Sequence, residues 1–199
     1  MDSKVQDFFK HNDYFIDEKV AFLKFTNAYK VYNSDGDPIG AIRETMSWFL
    51  KGLSLFLNKA FFPFKLDILD TEEHVLATIK RGWTFFMSKI EVLDADGFTI
   101  ALINQKFKLL KPTFNIFDPQ GSPIVSITGN WKAWNFTIAD SGGSQIGTIT
   151  KKWAGILKEA FTTADKYVVS INSGVETDAR KIAIISTAIS IDMVLKESK

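Results

Sequence analysis

The residues that most often perform acid–base or metal chemistry are few in this sequence. There are two histidines, His11 in a polar N-terminal stretch and His74 beside a predicted turn, and there is no cysteine. We expect both histidines to be solvated rather than catalytic, since neither has an evident partner. The lack of cysteine removes disulfides, zinc–thiolate sites and a thiol nucleophile, and it fits a reducing compartment.

Two short stretches have the composition of a ligand loop but lack its other parts. Residues 142–147 are glycine-rich, but a turn and then a strand follow, not the helix that a phosphate loop needs. Residues 94–97, Asp-Ala-Asp-Gly, begin like a calcium loop without its later acidic ligands, so we interpret them as a hairpin turn. No nucleophile elbow, Walker or dinucleotide motif occurs. The sequence therefore predicts a protein that is not an enzyme.

Many carboxylates lie in Asp- and Gly-rich turns between two apolar runs of period 2, which is the pattern of a β-hairpin. Five such units occur, with runs at 29–32 and 39–42, 64–69 and 75–79, 89–93 and 98–103, 114–117 and 124–127, and 136–139 and 145–150. They give ten strands, and residues 14–25 and 167–171 supply about two more. The pattern predicts a mainly β, antiparallel structure.

The last apolar stretch, residues 179–195, predicts a helix that is apolar on every side. Its uninterrupted apolar part, residues 182–191, is shorter than the roughly 20 residues that span a bilayer. A helix of this kind is enclosed by protein or lies in a membrane, and we favour enclosure. We predict a closed antiparallel barrel of about 12 strands around this central helix, with Ile182, Ile185, Ile189 and Met193 facing the barrel wall. The alternatives are a membrane span and a two-sheet sandwich with the helix outside.

Successive connections in an up-and-down barrel alternate between its two ends, and here the two sets differ in chemistry. The hairpin turns carry carboxylates: Asp35, Asp37, Asp70, Glu72, Glu73, Asp94, Asp96, Asp118 and Asp140. The connections between hairpins are aromatic and basic. The candidate membrane- or lipid-binding residues in them are Trp48, Phe49, Lys51, Phe56, Lys59, Phe61, Lys80, Arg81, Trp83, Phe85, Phe86, Trp131, Lys132 and Trp134.

Two interpretations of these aromatic and basic connections stay open. Tryptophan favours the headgroup zone of a membrane, and lysine and arginine attract anionic lipid, so the set fits a membrane-interface surface. The same aromatic residues could instead close the barrel end as ordinary core. The formal net charge of +1 gives no reason to expect nucleic acid as a partner.

A more specific motif lies at residues 151–165, where the sequence reads Lys-Lys-Trp-Ala-Gly-Ile-Leu-Lys-Glu-Ala-Phe-Thr-Thr-Ala-Asp. It resembles the stretch that precedes the C-terminal helix in the phospholipid scramblase family, and residues 63–70 and 191–192 are also similar to that family. The likeness runs from about Tyr29 to Leu195. The family is related to tubby-like and plant LURP-one-related proteins. The resemblance implies a twelve-stranded barrel closed around a central C-terminal helix, and phospholipid scrambling or lipid binding.

The sequence departs from the family's animal members in its calcium loop and its lipidated segments. The resemblance implies a calcium ligand at Asp165, but Thr163 replaces the loop's first Asp and Ser173-Gly174 replaces a later acidic position. We therefore expect no cofactor. Cysteine-rich, lipidated segments of animal members are replaced here by the aromatic stretches 48–62, 83–87 and 131–134.

Together these observations predict a single scramblase/tubby-like domain over residues 1–199, with residues 1–13 as a flexible segment. We expect a cytoplasmic protein, peripherally attached to a phospholipid membrane, since residues 1–7 have no apolar signal region. The alternative is a soluble module that binds a protein partner, a nucleic acid or a second copy of itself.

Overall fold

Twelve antiparallel strands form a closed barrel in the computed structural model of the chain, which describes residues 3–20, 27–45, 63–83, 89–106, 111–130, 132–151, 166–175 and 178–197. The elements are α1 Ser3–Phe9, β1 Asp13–Val20, β2 Asn27–Tyr32, β3 Pro38–Glu44, β4 Phe64–Leu69, β5 Val75–Arg81, β6 Lys89–Asp94, β7 Thr99–Lys106, β8 Thr113–Phe117, β9 Pro123–Asn130, β10 Asn135–Asp140, β11 Gln145–Thr150, β12 Lys166–Ile171 and α2 Asp178–Glu197. Each strand pairs with its neighbours in sequence, and β1 closes the barrel on β12. The predicted barrel is confirmed, and the sandwich alternative is wrong.

Alternation along each strand selects the residues that face the interior. In β7, Ala101, Ile103 and Gln105 are buried, while the residues between them are partly exposed. Cross-strand pairing keeps the interior residues level with one another, as Leu66 opposite Ile79 illustrates. A period of two therefore turns one set of apolar side chains toward the interior along every strand.

The five hairpin turns share one geometry. They begin at Asn33, Asp70, Asp94, Asp118 and Asp140, whose side-chain Oδ1 atoms accept the backbone N–H four residues later at 2.7–2.9 Å. The fourth residue of each turn has positive φ: Gly36, Glu73, Gly97, Gly121 and Gly143. The seventh position holds an aliphatic residue that packs on the core: Ile39, Leu76, Ile100, Ile124 and Ile146. A short polar cap, a left-handed residue and an inward aliphatic residue thus define each hairpin.

The C-terminal helix α2 fills the barrel. Its predicted wall-facing residues Ile182, Ile185, Ile189 and Met193 are all 5% exposed or less, which confirms the enclosure of the helix. A closed barrel of this strand number has a wide interior, and a helix of about 10–12 Å diameter is a suitable filling.

Two of the three buried hydroxyl-bearing residues of this helix bond to its own backbone, while the Ser186 hydroxyl has no partner among the described residues. Thr187 donates its hydroxyl to the carbonyl oxygen of Ala183 and Ser190 to that of Ser186, each at 2.7 Å. These two hydroxyls therefore avoid most of the penalty of burial without a partner in the wall.

The N-terminal segment departs from the expected flexible stretch, because Ser3–Phe9 forms α1 and its residues Val5, Phe8 and Phe9 are buried. Their i, i+3, i+4 spacing puts them on one helix face, which packs against α2. The link from α1 to β1 is tied down as well. The carbonyl oxygen of His11 accepts hydrogen bonds from Tyr14 at 2.9 Å and from Lys181 of α2 at 3.1 Å.

Among the described residues, no helix combines the length and the apolar character that crossing a membrane requires.

Candidate functional site

The alternation of strand direction separates two kinds of connection. The five hairpin turns lie together at what we call the turn end, and the segments that join one hairpin to the next lie at the opposite connection end. The helix α1 and the start of α2 also belong to the turn end, since α1 leads into β1 and α2 follows β12. The 20 residues of α2 run from one end toward the other over about 30 Å.

Exposed basic side chains gather at the connection end. The exposed lysines there are Lys65, Lys80, Lys89, Lys106, Lys111 and Lys132. They lie at strand ends or in the segments beside them. Trp83, directly after β5, is 54% exposed and is the one large apolar side chain at this end among the described residues with such exposure. Of the predicted site residues, Lys80, Trp83 and Lys132 therefore occupy an accessible surface.

The turn end has the opposite charge. All the carboxylates expected there lie in the five turns, and they are exposed or partly exposed. Two have basic partners, because Lys4 lies 3.2 Å from Glu72 and Arg43 lies 2.8 Å from Glu73. The described part of the barrel thus carries lysines at one end and carboxylates at the other.

Arg81 lies at the connection end but is not at the surface. It is 2% exposed, faces the barrel interior, and its guanidinium carbon lies 4.5 Å from the centre of the Phe64 ring. The position follows from register, since Arg81 and Phe64 are paired across strands. A buried guanidinium does not reach a surface without rearrangement, so Arg81 is a structural residue of the barrel mouth rather than an exposed lipid contact.

Trp134 likewise packs inward. It is half-buried, with its ring centre 5.2 Å from that of Tyr167 and 6.0 Å from that of Phe136. The ammonium of Lys151 lies 4.5 Å from the Trp134 ring centre, a cation–π contact on its outer side. Trp134 therefore packs against the core, as the second interpretation of the aromatic connections expects. Sequence reasoning gave both interpretations and had no local signal to choose between them.

Several predicted site residues lie outside the described part of the chain. These are Trp48, Phe49, Lys51, Phe56, Lys59, Phe61, Phe85, Phe86, Trp131 and Asp165. Their roles stay predictions.

The barrel interior contains polar groups that the sequence did not point to. The Tyr29 hydroxyl donates to the carboxyl of Asp192 at 3.1 Å, and both residues are buried. Gln105 is 2% exposed, and neither its amide nitrogen nor its amide oxygen has a partner among the described residues. An amphipathic pattern could not identify them, because an inward polar residue looks like a break in the apolar alternation.

His74 lies in a polar cluster at the turn end. Potential ligand atoms of Asp70, Glu72 and His74 lie within 4.8 Å of one another, and the Lys4 ammonium lies 3.2 Å from both Glu72 and the His74 ring. Partial burial opposes ionisation of Asp70, but hydrogen bonds from His74 and from the Glu72 backbone outweigh it and hold the pKa of Asp70 below its usual value. The Lys4 ammonium thus brings a positive charge beside two of the three groups, Glu72 and His74.

Two of three comparisons with known proteins find similarity to this chain. A crystal structure of a protein from Arabidopsis thaliana superposes with a TM-score of 0.54 at 7% sequence identity, covering 94% of this chain and 92% of that one. At this identity the similarity bears on fold alone. A search of curated protein sequences finds no significant match. A family model described as Scramblase matches residues 18–198, which leaves α1, its link and the first part of β1 outside it. Since that match covers nearly the whole chain, the protein belongs to the Scramblase family.

Proposed function

We propose that this protein binds phospholipid membranes peripherally, with a preference for anionic lipid, through the connection end of its barrel. The observation that carries the proposal is the segregation of charge: exposed lysines and Trp83 lie at one end, and carboxylates lie at the other. Membership of a family named for lipid scrambling supports the same class of ligand.

The two oppositely charged ends lie far enough apart for the lysines to attract an anionic membrane without strong repulsion from the carboxylates. Each lysine near an anionic leaflet contributes about 1 kcal/mol of attraction. Carboxylates at the turn end lie about 30 Å farther away, along a 20-residue helix. Because the Debye length at physiological salt is about 8 Å, repulsion from those carboxylates is screened at the membrane surface. A net charge of +1 therefore does not preclude electrostatic attachment.

Trp83 adds an apolar contact to the charge. An indole prefers the headgroup region of a bilayer, where its ring is partly desolvated and its N–H still finds a partner. Gly82 before it has no described atom within 4 Å of an added Cβ, so no described part of the chain covers this side of the segment. Membrane contact would give this exposed aromatic ring an apolar environment.

Vesicle flotation tests the proposal. Replacing Lys80→Gln together with Lys132→Gln removes about 2 kcal/mol of attraction, so binding to anionic vesicles should weaken about 30-fold. A control with Lys10→Gln and Lys30→Gln removes the same charge from exposed positions away from the connection end and should bind like the unmodified protein. Equal weakening of both variants, or none in either, would count against the connection end as the membrane surface.

Two further properties are proposed with this attachment. We expect it to need no calcium, since the calcium loop of animal members is incomplete here at Thr163, so flotation should be unchanged by chelator. We also propose that the protein acts on lipid by binding or by moving it between leaflets, without catalysing a covalent reaction. A dithionite assay on reconstituted vesicles distinguishes lipid movement from binding alone.

A further inference from the structure

Phe98 is exposed in a turn whose geometry does not require it. It occupies the fifth position of its hairpin turn, where the turn uses only its backbone: the Phe98 N–H donates to the Asp94 carboxylate at 2.8 Å, and the Phe98 carbonyl accepts from the Asp94 N–H at 2.9 Å. The same position in the other four turns holds Asp37, His74, Ser122 and Ser144. Phe98 is 71% exposed, the highest value of any large apolar side chain in the described structure. A single exposed aromatic residue is common on protein surfaces, so the case for a contact here depends on the charges that surround Phe98.

Among the described residues, the carboxylates around Phe98 lack the basic partners that the β4–β5 turn has. Phe98 lies in the β6–β7 turn, and the β8–β9 and β10–β11 turns follow it around the barrel. No basic side chain among the described residues forms an ion pair with the carboxylates of these three turns, Asp94, Asp96, Asp118 and Asp140. In the β4–β5 turn, by contrast, Glu72 and Glu73 pair with Lys4 and Arg43. We call these three turns with Phe98 the acidic arc.

The remaining part of the turn end shows what kind of segment such a surface accepts. There, α1 buries Val5, Phe8 and Phe9 against the barrel, and its Lys4 reaches the Glu72 carboxylate. The chain thus covers one side of its own turn end with an amphipathic helix that has an aromatic anchor and a lysine. The acidic arc offers the matching chemistry, an aromatic side chain among carboxylates, without a described segment of the chain forming ion pairs on it.

From these observations we propose that the acidic arc docks a basic amphipathic segment of a partner protein, with an apolar side chain of that segment on Phe98 and its lysines or arginines on the surrounding carboxylates. Neighbouring strands are about 4.8 Å apart, so three successive turns extend over about 20 Å. That length corresponds to a helix of about 13 residues. This surface is opposite the proposed membrane surface, so a partner could bind while the connection end contacts lipid.

Binding of a synthetic peptide tests the proposal. The probe is a fluorescein-labelled helix of about 14 residues, with lysines along one side and a central phenylalanine, and its binding to the full chain is measured by fluorescence anisotropy. A second peptide with glutamate in place of lysine controls for charge. We expect the lysine peptide to bind and the glutamate peptide not to bind. Phe98→Ser should weaken binding about tenfold, since it removes the apolar anchor.

The turns themselves provide a matched charge control. Asp94→Asn with Asp96→Asn removes two charges from the acidic arc, and Asn33 shows that asparagine keeps the turn's Oδ1 acceptor. This variant should weaken binding about fivefold. Asp35→Asn with Asp37→Asn removes two charges from the β2–β3 turn and should have no such effect.

Three results would overturn the proposal. Equal binding of the lysine and glutamate peptides would show that charge complementarity does not determine the binding. Unchanged peptide binding in both Phe98→Ser and the Asp94/Asp96 variant, with unchanged unfolding midpoints, would show that the peptide does not bind at the acidic arc. Self-association that Phe98→Ser abolishes, without any effect on the peptide, would show that a second copy of this chain covers the arc. Flotation of Phe98→Ser should match that of the unmodified protein, which separates this proposal from membrane binding.

Discussion

At the scale of single residues, the fourth position of the hairpin turns has a left-handed backbone, and one turn has a residue other than glycine there. Four of the five turns have glycine in the left-handed position, and the β4–β5 turn has Glu73 at a φ of 68°. Left-handed backbone is costly for residues with a Cβ. The Glu73 carboxylate accepts a hydrogen bond from Arg43 at 2.8 Å, and this bond holds the pKa of Glu73 below its usual value.

Replacing Glu73→Gly should raise the free energy of unfolding slightly. The change removes the left-handed strain, and an exposed ion pair contributes little to stability in water. Glu73→Ala keeps the strain, loses the pair and should be less stable than the unmodified protein. Urea denaturation of both variants, with Arg43→Gln as the control that removes the pair alone, measures the difference. A Glu73→Gly variant as unstable as Glu73→Ala would show that the pair outweighs the strain.

Asp70 should make part of the stability depend on pH in the acid range. Its pKa in the folded chain lies below the ordinary value of 3.8, so the folded state binds the proton less readily than the unfolded state. The contribution to stability is therefore fully present above about 3.8 and is lost as the pH falls through the lower, folded value. Asp70→Asn keeps the acceptor for the turn but does not titrate.

The stability of Asp70→Asn should consequently fall less steeply than that of the unmodified protein as the pH is lowered from about 5 to 2. Urea denaturation at several pH values measures both slopes. Parallel slopes would show that another group accounts for the acid dependence.

At the scale of elements, α1 closes the turn end of the barrel over the beginning of α2. Glycine is required at position 40 beneath it, because an added Cβ would overlap the backbone oxygen of Leu69 and would also lie 2.7 Å from the Phe8 ring of α1. Lys181 and Tyr14 hold the link after α1 through the His11 carbonyl. The family match begins at residue 18, so α1 lies outside the matched region.

Phe9→Ala should destabilise the protein by about 3–5 kcal/mol, the usual cost of removing a fully buried phenylalanine. Phe9 is 0% exposed, whereas Phe98 is 71% exposed, so Phe98→Ala is the matched control. That control should stay within about 0.5 kcal/mol of the unmodified protein. The free energy of unfolding from urea titration measures both. A loss below about 1 kcal/mol for Phe9→Ala would mean that α1 is only loosely docked.

The sequence predicts elements well where one local rule is repeated. Each hairpin has an Asp or Asn cap and an aliphatic residue six positions later, and most have glycine between them, so strands and turns could be located. The helix α2 was identified because no side of it is polar. The short helix α1 was missed, although Val5, Phe8 and Phe9 have helical spacing, because its apolar set is only three residues long. The burial of Arg81 and Trp134 depends on packing across strands, which a local pattern does not contain.

At the scale of the whole molecule, the barrel is a rigid spacer between two oppositely charged surfaces. Antiparallel order with one turn motif sends carboxylates to one end, and the connections bring lysines to the other. The enclosed helix α2 fixes this separation. On the proposed anionic membrane, this arrangement would orient the protein with the connection end toward lipid and the acidic arc away from it.

Measuring the orientation of the protein on a vesicle tests most directly whether the connection end contacts the membrane. The chain has no cysteine, so Trp83→Cys and Phe98→Cys each create one labelling site for an environment-sensitive fluorophore, at opposite ends of the barrel. With anionic vesicles that carry a headgroup nitroxide quencher, we predict that the label at position 83 is quenched and shifted to the blue, and that the label at position 98 is unchanged. Quenching at position 98, or equal responses at both positions, would contradict membrane contact through the connection end.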